Sequence, residues 1–139
     1  MSDGEKVPIV LIAANEDVLN NVRDALTDKL ELLHAQTKDE AIALLEGMKS
    51  DIDLAIIELE LPDFGAWDLI RQLTRHQHKP LKIIATTSLY PSPLLEKAGG
   101  LGFDAVVPKG IPPEDWRRTV ETVLGTNETS PFQEAATSV

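Results

Sequence analysis

The chain of 139 residues contains no cysteine. That excludes disulfides, zinc–thiolate centres and thiol catalysis, and it fits a reducing compartment such as the cytoplasm. Positive charge is also scarce: 13 Lys and Arg stand against 23 Asp and Glu, for a formal charge of −10. A chain this acidic argues against a nucleic-acid backbone or an anionic membrane as the main partner. No apolar run is long enough to span a bilayer. The run from Val7 to Ala14 contains Pro8 and follows the acidic leader MSDGEK, so it reads as a strand and not as a signal-peptide core. The stretch AANED after that strand has neither glycine nor hydroxyl, which a dinucleotide or flavin site would need there. No GxSxG elbow, no phosphate-loop lysine pattern and no internal repeat occurs.

What the chain does have is a regular alternation of strand and helix. Ile9–Ile12 is a β-branched-rich strand, and NEDVLNNVRDALTDK follows with Val18, Val22, Ala25 and Leu26 at helical spacing, capped by Asn15 or Asp17. LELLHAQ (30–36) is a weaker strand. Thr37 caps KDEAIALLEGMKS, with Glu40 completing a capping box and Ala41, Leu44, Leu45 and Met48 forming the apolar stripe. DLAIIEL (53–59) reads as a strand buried on both faces, LPDFG as a break, and AWDLIRQLTRHQ as helix. Leu81–Thr86 and FDAVVP (103–108) are two further strands. Between them SLYPSPLLEKAGGLG is a loop and a short helix weakened by Gly99 and Gly100, and so the element readiest to move. Pro112 and Pro113 open a last helix in which Trp116, Val120, Val123 and Leu124 share a face.

Five strands alternating with five helices imply a doubly wound parallel α/β sheet, and the flavodoxin-like order 2-1-3-4-5 is the expected topology. The expected domain runs over residues 1–124, with 125–139 as a flexible tail or linker stub. In this topology the functional crevice lies where strand order reverses, at the carboxyl ends of strands 1 and 3. That rule selects Ala13, Ala14 and Asn15 together with Glu58, Leu59 and Glu60.

Over roughly residues 7–124 the sequence resembles the receiver domain of bacterial response regulators, the phosphorylated modules of two-component signalling. DLAIIELELPDFGAWDLIRQL carries most of the resemblance, with KIIATTS and GFDAVVPKG beside it. In receivers the third strand ends in the aspartate that accepts a phosphoryl group; Glu58 stands at that place, followed by Leu61-Pro62 and by Ala66 where glycine is usual. The resemblance assigns the hydroxyl that senses the phosphoryl group to Thr87 and the family's lysine to Lys109. After that lysine comes Gly110 in place of the proline that sets a cis peptide. The two acidic positions that hold magnesium correspond to Ala13 and Ala14, and the switch aromatic to Val106.

The resemblance therefore implies a pseudo-receiver. Magnesium wants near-octahedral oxygen ligands, and two methyl groups supply none. Glu58 is also one methylene longer than aspartate, which moves the carboxylate by about 1.5 Å, and a displacement near 1 Å can cost about a hundredfold where positioning supplies the catalysis. The expected function is a non-enzymatic signalling module acting by phosphorylation-independent protein–protein contact, without cofactor or metal. Lys109, and a hydrogen bond from Thr87, are expected to satisfy Glu58. The expected partner is a histidine kinase or output domain. A homodimer through the fourth helix, fifth strand and fifth helix also follows from the resemblance.

Other readings stand beside this one. Glu58 acts either as a fixed imitation of a phosphorylated residue or as part of a static docking surface. Phosphorylation at Glu58 or elsewhere, within a phosphorelay, and a flavodoxin-like cofactor binder are the alternatives. Glu58 and Glu60 also read as a metal pair, although no histidine joins them. His76 and His78 serve as cationic company for a helix end, Trp116 as core, Trp67 as half exposed, and Tyr90 as a loop residue on the partner side.

Overall fold

The computed structural model describes residues 7–13, 15–25, 30–48, 52–60, 66–75, 81–88 and 103–125. They form strands β1 (Val7–Ile12), β2 (Leu30–Ala35), β3 (Leu54–Glu58), β4 (Lys82–Thr87) and β5 (Ala105–Pro108). The helices are α1 (Glu16–Ala25), α2 (Lys38–Glu46), α3 (Ala66–Arg75) and α4 (Pro113–Leu124). The strands make one parallel sheet in the order β2-β1-β3-β4-β5, as the sequence predicts. Four helices lie among the described residues. The expected helix within 89–102, with Tyr90, Gly99 and Gly100, lies outside them, as do His76, His78, the Trp67 side chain and the tail beyond Gly125.

Alternation along each strand divides the core between the two faces of the sheet. Val10, Ile12, Ala55, Ile57, Ala85 and Val106 pack with residues of α2 and α3. Ile9, Leu11, Leu54, Ile56, Ile84 and Val107 pack with residues of α1 and α4. Every residue of β3 is buried, the signature of a central strand covered on both sides. Trp116 is fully buried on the α1–α4 side. Pro8 is tolerated in an inner strand because it precedes the ladder to β3, which starts at Ile9 opposite Leu54.

Local sequence sets the element ends. Asn15 caps α1, its Oδ1 accepting from the amides of Asp17 and Val18 at 2.8 and 3.2 Å. Thr37 Oγ1 accepts from the Glu40 amide, and the Glu40 carboxylate accepts in return from the amide of Gln36. Pro112 caps α4, and Gly125 closes it at φ 86°, a left-handed conformation that suits glycine. Long-range cations finish two helices: Arg117 Nε donates to Ala25 O at the end of α1, and Lys82 Nζ to Val123 O near the end of α4. The first ties α4 to α1 within one helical layer, and the second ties that layer to β4 of the sheet.

Candidate functional site

The parallel arrangement brings every strand's carboxyl end to one edge. There β3 delivers Glu58 as its last residue, directly opposite Thr86 of β4, and the following turn delivers Glu60. The Leu59 amide donates to Thr86 O at 2.9 Å, which pins that turn against β4. Next to it the Lys109 amide donates to Thr87 O, carrying the chain just past β5 to the same edge.

The side chains meet in one network. Lys109 Nζ pairs with Glu58 Oε2 and, at 2.8 Å, with Glu60 Oε1. Glu58 is buried, and its other oxygen accepts from the Asn15 amide at 3.2 Å, so it reaches back across the crevice to the loop after β1. Glu60 receives two further donors, the Thr87 hydroxyl at 2.5 Å and the Ser88 amide at 3.2 Å. Burial pushes the Glu60 carboxyl up. The hydrogen bonds from Lys109, Thr87 and Ser88 and the Lys109 charge outweigh that and hold it below its ordinary value. Burial likewise pushes Lys109 down, while its bonds and charge pairing with Glu58 and Glu60 carry it above its ordinary value.

Glu58, Lys109 and Thr87 are thus brought together. The Thr87 hydroxyl donates to the Glu60 carboxylate, a partner the sequence reading did not name for it. Glu58 turns toward Lys109 and the Asn15 amide, while Glu60 lies beside the end of β4. Ala13 is buried among Leu11, Val18 and Val22; its amide donates to Ala35 O and its carbonyl accepts from His34 Nε2. Ala14 lies outside the described residues. Val106 is fully buried in the α2–α3 core. Glu60 is the residue whose part the sequence did not reveal. The sequence selects it only by its place after the third strand and as a metal pair with Glu58, because nothing local shows that its carboxylate turns to β4.

The other half of the edge is open. A groove of about 260 Å³ lies beside Ala13, Asn15, Asn20, Arg23, His34 and Gln36. Among the described residues no three His, Cys, Asp or Glu side chains are grouped as metal ligands, and no helix is long and apolar enough to cross a membrane.

This arrangement on a 2-1-3-4-5 sheet is that of a signalling receiver, and comparison with known proteins agrees. Residues 6–121 match the family model of the response regulator receiver domain, and the chain belongs to that family. A response regulator from Thermotoga maritima superposes with a TM-score of 0.73 at 16% identity, covering 86% of this chain and 98% of its own. A CheY-like receiver domain protein from Methanospirillum hungatei JF-1 gives 0.71 at 23% identity over 89% and 98% of the two chains. The non-phosphorylated HemR receiver domain from Leptospira biflexa gives 0.73 at 24% identity over 86% and 95%. No curated protein sequence matches the chain.

Proposed function

We propose that this receiver module signals without a phosphorylation switch, as a cytoplasmic, non-enzymatic docking domain held in one conformation. One observation carries the reading: the Lys109 ammonium is shared between Glu58 and Glu60, so the charge that would greet an incoming phosphoryl group is already neutralised. Both oxygens of Glu58 are engaged, by Lys109 and by the Asn15 amide, and the Glu60 carboxylate beside them repels a further anion.

A magnesium ion fits this edge poorly. The position after β1 is a buried methyl with a satisfied backbone, and both carboxylates across the crevice are held by an ammonium. With neither metal nor a free nucleophilic oxygen, the module acts by surface contact on a signalling protein, a histidine kinase or an output domain. The contact face expected from the resemblance is the segment after β4 with β5 and α4, where a second copy of this chain would also dock.

Incubation with acetyl phosphate and magnesium, followed by intact-mass measurement, tests the reading. The expected result is an unmodified mass and no saturable change in tryptophan fluorescence during a magnesium titration. A stoichiometric phosphoryl adduct overturns it.

A further inference from the structure

Glu60 accepts three donors of different kinds, an ammonium, a hydroxyl and a backbone amide, from two different segments of the chain. Its Oε1 takes Lys109 and Ser88 and its Oε2 takes Thr87, which leaves little of a carboxylate's acceptor capacity unused. Glu58 is directed elsewhere: with Lys109 it ties β3 to β5, and with the Asn15 amide it ties β3 to the loop after β1. The two carboxylates share Lys109 but hold different loops.

We infer that Glu60 is the positioning residue for the end of β4. Its carboxylate fills the anion site made by Thr87, Ser88 and Lys109, and so fixes the hydroxyl and the start of the segment that leaves β4. The inference rests on the reading that no phosphoryl group occupies this edge, and it divides the fixing of the domain between two residues. Glu58 holds the β1 side and Glu60 holds the β4 side. A charge-assisted bond to a carboxylate is stronger than a neutral one, so the two from Thr87 and Ser88 order the end of β4 more firmly than an exposed strand end would be by itself, while Lys109 holds the carboxylate in place.

Amide hydrogen exchange followed by nuclear magnetic resonance on the full chain tests this, with Glu60→Ala, Glu60→Gln and Glu58→Gln. In Glu60→Ala the Ser88 amide is expected to exchange about tenfold faster or more, while the Asn15 amide stays within about twofold of the parent. Glu60→Gln, which keeps one carbonyl acceptor where the carboxylate has two oxygens, is expected to restore part of the Ser88 protection. Glu58→Gln is expected to disturb Asn15 and leave Ser88 unchanged. Unaltered Ser88 exchange in both Glu60 variants overturns the inference, and so does an equal response of Ser88 to Glu58→Gln. Should Glu60→Ala fail to fold, Glu60→Met, of similar length but without an oxygen acceptor, and Glu58→Gln still decide it by which amide shifts. A phosphoryl adduct in the mass experiment would overturn the proposed function without touching these exchange rates, so the two failures are distinguishable.

Discussion

The two halves of the carboxyl edge are built on opposite terms. On the β1–β2 side the chain offers a buried methyl at the strand end and an open groove lined by amides, an imidazole and the separate charges of Glu16 and Arg23. On the β3–β5 side two carboxylates, an ammonium and a hydroxyl are drawn into contact and largely withdrawn from water. Both halves sit on the same sheet and end strands of the same aliphatic kind, so backbone architecture does not cause the difference. Its source is charge balance. A buried carboxylate has to be paired, and here Lys109 supplies the partner that a metal ion would otherwise share. Where no charge was placed, as at Ala13, the edge packs as ordinary core.

The sharpest way to break this comparison is to remove the shared cation. Lys109→Met leaves Glu58 and Glu60 beside each other without their shared cation and is expected to destabilise the domain by about 3–5 kcal/mol, read by urea unfolding. A loss no larger than that of an exposed lysine would mean that the charged half contributes as little as the open one.

Placing a charge at the buried methyl of the open half comes next. Ala13→Asp puts a carboxylate among Leu11, Val18 and Val22 and near the Glu58 side of the crevice, with an expected cost of roughly 2–4 kcal/mol. If the variant unfolds at the same urea concentration as the parent, the apolar character of that position is incidental.

A smaller effect separates network members from bystanders. The Thr86 hydroxyl, next to Thr87 and opposite Glu58, is buried with no hydrogen-bond partner among the described residues. Thr86→Val is expected to be neutral or to stabilise by up to about 1 kcal/mol. A clear loss of stability would place Thr86 inside the network.

The gentlest probe is pH. Glu60 titrates below its ordinary value of 4.5 in the folded chain, so its contribution is present above 4.5 and fades as pH falls through the lowered value. Lys109 titrates above its ordinary 10.5, so its contribution is complete below 10.5 and is lost as pH rises through the raised value. Unfolding midpoints of the parent and of Lys109→Met, compared across both windows, should differ in slope; parallel curves would refute the coupling.

Much of this was legible in the chain. The four-residue aliphatic run Ile9–Ile12 and the doubly buried LAIIE of β3 announce inner strands. Thr37 with Glu40 announces a helix start, and Pro112-Pro113 with Gly125 marks both ends of α4. Glu58 and Lys109 were also visible as partners, because strand ends that follow in order on a parallel sheet share an edge. That the Thr87 hydroxyl reaches Glu60 was not visible. Residue order along β4 says that its hydroxyl reaches the crevice, but the choice between two carboxylates two residues apart depends on how the turn after β3 is held against Thr86 O.

The sequence alone determined the alternating elements, their caps and the distribution of charge along the edge, since propensity, periodicity and residue type act over a few neighbours. Tertiary structure alone decided which donors besides Lys109 each carboxylate received. Asn15 and Glu58 are 43 residues apart and Thr87 and Glu60 are 27 apart. A hydrogen bond is settled within tenths of an ångström, a precision that only the packed sheet imposes on residues so distant in the chain.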